Sequence, residues 1–203
     1  MAAQLAETLN QQVVYQVREL THENDAQIYA LQKANQAFFS LFMDHHLTHQ
    51  EAVADLDSVA TQAKANQKYY LGFFDHDKLV ASLDLMIDYP GPKIVWIGQY
   101  LTDPQTVSDA QKTTLLAQVL KTLRQLATQT VQLILPKRDV TDQKFYEALK
   151  FEAVSETKHR WPAVVLTLSF INVNYRKRHW WRNYVRYVRI DKHCVGRQLL
   201  SYF

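Results

Sequence analysis

One stretch of the chain combines residues that could hold an anion at the beginning of a helix. A short apolar strand at residues 94–101 leads through the turn 102–105 to Ser108, and Gln111 follows three residues later. This spacing of Ser and Gln is the capping-box pattern of a helix start. The first N–H groups of a helix lack partners within it and lie at the positive end of its dipole. The stretch therefore predicts a site for an anion such as phosphate, although most strand–turn–helix units bind nothing.

A second candidate is a pair of histidines that could bind a metal ion. His45 and His49 are four residues apart and would share one face of a helix. Imidazoles are common metal ligands, but a metal site needs further ligands, and no cysteine or carboxylate cluster accompanies this pair. A solvated junction between two helices explains the pair more simply. We therefore predict that no metal is bound here.

The elements that must position these residues are indicated by alternating helical and strand periodicity. Helices are predicted at residues 2–10, from Asp25 to Phe42, from Thr48, from Ser108 to Leu126 and around residues 143–149. Strands are predicted at residues 13–20, 68–74, 79–87, 94–101, 130–135, 152–157 and 163–170. This order predicts an α/β fold of the α+β kind, with a mixed, mostly antiparallel central sheet flanked by helices.

Charge divides the chain into a body and a basic tail. The 203 residues suffice for one domain with a sizeable core, and no repeat or Gly/Ser-rich linker interrupts it. Residues 174–203 contain eight Arg or Lys and one Asp, which is a net charge of +7. Because the whole chain has a net charge of +3, residues 1–173 carry −4. We predict a domain over residues 1–173 and a basic, aromatic C-terminal extension over residues 174–203.

The same sequence predicts a cytoplasmic location. Cys194 is the single cysteine, so no disulfide can form within the chain. Residues 1–13 lack the basic and apolar regions of a secretory signal peptide, and no run of eighteen apolar residues occurs. We therefore expect neither secretion by that route nor a membrane-spanning segment.

The succession of elements, together with two segments, resembles the GNAT superfamily of N-acetyltransferases. Residues 100–104 lead into the helix that starts at Ser108, and residues 144–151 contain the pattern Phe-Tyr-Glu-x-x-x-Phe. The resemblance spans about residues 14–170. It implies a GNAT-like fold that uses acetyl-CoA as its cofactor. The implied reaction is acetyl transfer to the primary amine of a small molecule or a peptide.

The chain departs from the family in the loop that binds the cofactor's pyrophosphate. In the family this loop reads approximately Arg/Gln-x-x-Gly-x-Gly/Ala, whereas residues 107–112 read Val-Ser-Asp-Ala-Gln-Lys. Glycine allows the backbone to approach a phosphate closely, and Asp109 adds a negative charge beside the proposed anion. Ser108 and Lys112 could supply a hydroxyl and a cation instead. We therefore expect weakened binding of the cofactor.

Carried over to this sequence, the resemblance implies two sets of cofactor contacts and one catalytic residue. The strand before the loop would pair its backbone with the pantetheine arm through Gln99, Tyr100, Leu101 and Thr102. The loop would bind the pyrophosphate through Val107, Ser108, Asp109, Ala110, Gln111 and Lys112. Tyr146 would protonate the departing thiolate. A packed aromatic side chain is an equally good interpretation of Tyr146.

Acetyl transfer also needs a proton acceptor, which the sequence does not identify. No carboxylate lies within residues 94–101. Asp84 and Asp88 on the preceding strand are weak candidates, and solvated positions are the better prediction for both. The alternative function is therefore a catalytically impaired GNAT-fold binding module, with the basic tail as its interaction arm.

The tail has the pattern of a basic amphipathic helix. One side would carry Arg178, Arg182, Arg186, Arg189 and Arg197, and the other Trp180, Trp181, Tyr184, Tyr187, Val188, Val195 and Leu199. Such a segment could bind an anionic membrane surface or nucleic acid. The alternative is a helix packed on its own domain or on the second subunit of a homodimer. Residues 184–190 are also rich in strand formers, so a strand is a further alternative.

Overall fold

A seven-stranded sheet forms the centre of the computed structural model, which describes residues 2–60, 63–160 and 165–175. Its strands are β1 Gln16–Glu19, β2 Lys68–Asp75, β3 Lys78–Ile87, β4 Ile94–Thr102, β5 Thr130–Pro136, β6 Glu152–Arg160 and β7 Val165–Asn174. Their spatial order is β1-β2-β3-β4-β5-β7-β6, and every neighbouring pair is antiparallel except β4 and β5. The predicted mixed, mostly antiparallel sheet is confirmed.

Helices cover both faces of this sheet. They are α1 Ala2–Asn10, α2 Asp25–Ala34, α3 Gln36–Phe39, α4 His49–Ala54, α5 Asp109–Gln125 and α6 Val140–Ala148. The core on one face contains buried residues of α1, α5 and α6, and the core on the other contains those of α2, α3 and α4. None of the helices in the described ranges has the length and apolar character that crossing a membrane requires.

The helix predicted from Asp25 to Phe42 is interrupted at Asn35. The side-chain amide of Asn35 donates to the carbonyl oxygen of Leu31 at 2.9 Å and to that of Thr102 at 3.0 Å. The second bond ties this turn to the end of β4, which lies far away in sequence. Because Asn side chains compete with the helical backbone for hydrogen bonds, α2 ends here and α3 begins one residue later.

The two histidines do not share a helix face, so that prediction was wrong. Thr48 caps α4 through a bond from the N–H of Glu51, and α4 therefore begins at His49, with His45 in the preceding loop. The ring of His45 lies 2.8 Å from a carboxylate oxygen of Glu51. Hydrogen bonds to Glu51 and Asp44 raise the pKa of His45. The described residues contain no group of three or more His, Cys, Asp or Glu side chains that could hold a metal ion.

The packed structure continues through Tyr175, one residue beyond β7. The backbone N–H of Tyr175 donates to Gln129 O at 2.9 Å, and its hydroxyl donates to Leu120 O at 3.0 Å. The Arg124 guanidinium lies 5.6 Å from the centroid of the Tyr175 ring. Residues 176–203, which include nearly all of the predicted tail, lie outside the described residues.

Candidate functional site

β4 and β5 diverge from each other beyond a short paired segment. They pair in parallel only where residues 94–96 of β4 face residues 130–132 of β5. β4 then continues along β3 to Thr102, while β5 continues along β7 to Pro136. The facing edges of the two strands therefore open into a wedge, along which the backbone of β4 forms no ladder with β5.

A β-bulge at Gly98 accompanies this divergence. Asp84 of β3 pairs with Gln99, but the next residue, Leu85, pairs with Ile97, so Gly98 is an extra residue in β4. A bulge bends its strand and increases the local twist. The predicted contact residues 99–102 lie beyond the bulge, along the wedge. An isolated glycine inside a strand pattern is the sequence signal that could have identified this feature.

The N-terminus of α5 has the cap that the sequence predicts. Ser108 Oγ accepts a bond from the N–H of Gln111, and Gln111 Oε1 accepts one from the N–H of Ser108 at 2.9 Å. The N–H groups of Gln105, Thr106 and Val107 donate to Asp103, and that of Lys112 donates to Ser108 O.

The remaining two N–H groups of residues 105–112 belong to Asp109 and Ala110. Neither has a hydrogen-bond partner among the described residues. They lie at the exposed first turn of α5. Two free amides at the positive end of a helix can hold an anion. The predicted loop residues are thus placed at one helix terminus, but most of their amides bind within the chain.

Tyr100, Lys112 and Phe145 connect β4, α5 and α6 beside the wedge. The Tyr100 ring stacks on Phe145, with 6.3 Å between the ring centroids, and the Tyr100 hydroxyl donates to Lys112 O at 2.9 Å. The Lys112 ammonium lies 4.6 Å from the Phe145 ring centroid and 3.5 Å from Asp142 Oδ1. The structure therefore brings two predicted contact residues, Tyr100 and Lys112, into direct contact.

Tyr146 lies in the core next to this group. Its side chain is 5% exposed, and its ring packs edge-on against Phe145 and Phe151 at centroid distances of 5.0 and 5.3 Å. Burial, and then the nearby Asp142 carboxylate, raise the pKa of Tyr146 well above its usual value. A tyrosine hydroxyl is protonated at neutral pH in any case, and the raised pKa makes this one a weaker proton donor than an exposed tyrosine. The catalytic role of Tyr146 stays a prediction.

Buried polar side chains form a row on the face of the sheet opposite to Tyr146. The sequence alone did not predict that these residues are neighbours. Tyr70, Asp84 and Gln99 are neighbours in register on β2, β3 and β4. The Tyr70 hydroxyl lies 3.2 Å from Nε2 of Gln32, a residue of α2, and 3.5 Å from Gln99 Oε1. Burial raises the pKa of Tyr70.

Asp84 belongs to this row, so the prediction that it is solvated was wrong. Its Oδ2 lies 3.2 Å from Lys68 Nζ, and the two side chains are 4% and 6% exposed. Asp84 Oδ1 has no hydrogen-bond partner among the described residues. Burial raises the pKa of Asp84, while Lys68 lowers it. The run of residues 79–87 is apolar except for Ser82 and Asp84, which is the signal that this strand is covered on both faces.

Asp88 has a structural role in the turn between β3 and β4. It is exposed, and its Oδ1 accepts a 2.6 Å bond from the N–H of Lys93. The backbone φ of Asp88 is 56°, a left-handed conformation that Asp tolerates better than most residues. The predicted solvated position is confirmed, and the carboxylate closes the turn.

Comparison with solved structures identifies the fold. No protein-family model matches the chain, and no curated protein sequence matches it. The ribosomal-protein-S18-alanine N-acetyltransferase from Escherichia coli is 9% identical with a TM-score of 0.55, over 81% of this chain and 96% of that one. The acetyltransferase of the GNAT family from Streptococcus pneumoniae is 14% identical with a TM-score of 0.55, over 78% and 97%.

A third similar structure contains a ligand. The Bacillus subtilis acetyltransferase in complex with CoA is 10% identical to this chain, with a TM-score of 0.53, over 79% of this chain and 98% of that one. Identities this low establish a shared fold and nothing about the chemistry of individual residues.

Proposed function

Because the chain has the GNAT fold of acetyltransferases, we propose that it transfers an acetyl group from acetyl-CoA to the primary amine of a small molecule or peptide. The observation that carries this proposal is the wedge between β4 and β5, next to two free amides at the N-terminus of α5. The similar structures from Escherichia coli, an N-acetyltransferase of a ribosomal-protein alanine, and from Bacillus subtilis, a complex with CoA, support it.

The groups at the wedge fit acetyl-CoA in their chemistry. The N–H groups of Asp109 and Ala110 can hold phosphate oxygens at the positive end of α5. Lys112 supplies a cation in the same turn. The edge of β4 beyond Gly98 offers backbone donors and acceptors to the amides of a pantetheine arm. Two free amides provide a weaker phosphate site than a glycine-rich loop, which agrees with the expected weakened binding.

Residues of the chain would position and protonate the reacting groups. When bound, acetyl-CoA supplies the activated acetyl group. Residues 99–102 would orient its arm along β4, and the first turn of α5 would fix its phosphate end. Tyr146 would hold a proton at its hydroxyl for the sulfur that leaves.

The alternative function, a GNAT-fold binding module without efficient catalysis, is favoured by the state of the loop amides. Six of the eight N–H groups between residues 105 and 112 already donate within the chain. A ligand can recruit them only by breaking these bonds. Cofactor binding without turnover of any amine would support this alternative.

We predict that acetyl-CoA stabilises the full chain against thermal unfolding. A ligand at about 100 times its dissociation constant adds about 2.7 kcal/mol to the free energy of unfolding. For a protein of this size the melting temperature should then rise by about 5–10 °C. The measurements are a thermal melt and titration calorimetry with acetyl-CoA, with ATP as the control ligand for unspecific anion binding.

The control separates a cofactor site from a general anion site. ATP shares the adenosine and phosphates of the cofactor but lacks the arm that would follow β4, so its effect should be much smaller. An absence of heat and of thermal shift at millimolar acetyl-CoA would contradict the proposed function.

We further propose that the basic tail binds an anionic membrane surface or nucleic acid. Each Lys or Arg near an anionic surface contributes about 1 kcal/mol of attraction, which decays over about 8 Å at physiological salt. The full chain should therefore cosediment with anionic vesicles, or bind nucleic acid, at low salt and not at high salt. A chain that ends at Tyr175 keeps the contacts of that residue and is the matched control.

The truncated chain distinguishes an interaction arm from a packed helix. We expect it to lose binding while its melting temperature stays the same. A large loss of stability on truncation, with no binding by the full chain, would instead show that the tail packs on its domain or on a second subunit.

A further inference from the structure

An ion pair joins α5 to α6 beside the wedge. Lys112 is the fourth residue of α5 and Asp142 the third of α6, so their contact of 3.5 Å links the first turns of the two helices. The two side chains are 25% and 21% exposed, which leaves them accessible to a ligand from solvent. The Phe145 ring lies under the ammonium group.

Asp142 binds the ammonium group of Lys112, which is the cation that would stabilise a phosphate at the N-terminus of α5. Lys112 belongs to the same turn as the free amides of Asp109 and Ala110. Asp109 and Asp139 are acidic neighbours at the two helix starts, while the basic residues before α6 bind elsewhere: Lys137 pairs with Glu156, and Arg138 donates to Leu41 O. The ammonium group of Lys112 is therefore the cation of the first turn of α5 whose charge-assisted bonds would favour a bound phosphate.

Asp142 is a partner that a phosphate could replace. Burial raises the pKa of Asp142, Lys112 lowers it, and the neighbouring Asp139 raises it, so the carboxylate is poorly stabilised where it lies. A partly exposed ion pair contributes little to the stability of a fold. Exchange of Asp142 for a phosphate of the pyrophosphate on Lys112 would therefore disturb the fold little.

We propose that Asp142 competes with the ligand's phosphate for the ammonium group of Lys112. The inference rests on the proposed function, because the phosphate is that of coenzyme A. In the free protein the Asp142 carboxylate holds Lys112 and lowers the affinity for the cofactor. Phosphate binding releases Asp142, which precedes Tyr146 by four residues on α6. Occupancy of the phosphate site thereby changes the charge environment of the predicted acid.

The test is titration calorimetry of Asp142→Asn with coenzyme A and with pantetheine, which lacks the phosphates. The variant should bind coenzyme A about three- to tenfold more tightly than the wild type, because the competing charge is gone. Its affinity for pantetheine should stay within about twofold of the wild-type value, since no phosphate is involved. The gain should shrink at high salt, which screens the competing charge.

Two further variants make the test specific. Asp139→Asn removes a charge from the same helix end without breaking the pair, and Asn can still cap α6, so its gain in affinity for coenzyme A should be smaller. Lys112→Gln should weaken coenzyme A binding, and it should do so more strongly in the Asp142→Asn background than in the wild type. Equal losses in the two backgrounds would contradict the competition.

Each result has a defined meaning. Equal affinities of Asp142→Asn and wild type for coenzyme A, or an equal gain for pantetheine, would overturn the competition while leaving the proposed function intact. Failure of both proteins to bind coenzyme A would overturn the proposed function, and the inference with it.

Discussion

Replacement of Lys68 by methionine is expected to lower the free energy of unfolding by about 3–5 kcal/mol, because it leaves the Asp84 carboxylate buried without its partner. One oxygen of Asp84 already lacks a hydrogen bond among the described residues, and the substitution removes the Lys68 partner of the other oxygen. Chemical denaturation followed by circular dichroism measures the loss. The double variant Lys68→Met, Asp84→Leu should recover much of it, because no charge then remains buried.

The pH dependence of this loss follows from the direction of the Asp84 pKa. Burial raises that pKa, and removal of Lys68 raises it further, since Lys68 lowers it. A carboxyl group whose pKa is higher in the folded than in the unfolded state stabilises the fold at pH values below its unfolded-state pKa, which is near 4. This stabilisation is lost as the pH rises through the folded-state pKa. The destabilisation by Lys68→Met should therefore be larger at pH 7 than at pH 5.

A surface ion pair provides the control for this prediction. Lys137 and Glu156 approach to 2.9 Å with side chains that are 57% and 48% exposed. Lys137→Met should cost less than about 1 kcal/mol, because exposed pairs are well solvated when separated. Equal small losses for Lys68→Met and Lys137→Met would argue against a charged, dry pair at Asp84.

Replacement of Tyr146 by phenylalanine is expected to reduce turnover about 100- to 10,000-fold if its hydroxyl donates the proton to the leaving sulfur. The substitution removes only the hydroxyl and keeps the ring that packs against Phe145 and Phe151. Cofactor affinity should change little, because a proton donor acts mainly in the transition state. Turnover is measured by release of the CoA thiol with a panel of primary amines, and affinity by calorimetry.

Tyr175→Phe is the matched control for this experiment. Its hydroxyl donates to Leu120 O, away from the wedge, and burial raises its pKa to about 12. The Tyr175→Phe variant therefore loses a hydroxyl whose pKa is also raised by burial, but this hydroxyl has no predicted role in the reaction. Wild-type turnover in Tyr146→Phe would assign Tyr146 to the core.

Features that depend on nearby residues were predictable from the sequence. Ser108 and Gln111 form the predicted capping box, and Thr48 and Glu51 form another at the predicted start of α4. Both boxes join residues three positions apart, so their spacing contains the whole interaction. Strands β2 and β3 likewise begin to pair at Asp75 and Lys78, which are also three positions apart.

Features that depend on distant residues were not predictable in this way. The helix break at Asn35 is stabilised by a bond to Thr102, and the burial of Asp84 depends on helices that come from another part of the chain. The wedge accompanies a change of register between β3 and β4, which are separate in sequence from β5. At the candidate site, the position of the loop could be predicted from the capping box of α5. The hydrogen bonds that its amides form within the chain could not, because several of them depend on the folded turn around Asp103.

The contacts of Tyr175 determine where the tail begins relative to the wedge. Tyr175 follows the pair formed by Asn174 and Thr130, at the end of the sheet where β4 and β5 are still joined. Its hydroxyl contacts Leu120, twelve residues after Ser108, which corresponds to about 18 Å along α5. A macromolecule can span that distance. A tail that bound the acceptor substrate at this point would raise the acceptor's effective concentration at the wedge. The tail itself would not need to contact the reacting groups.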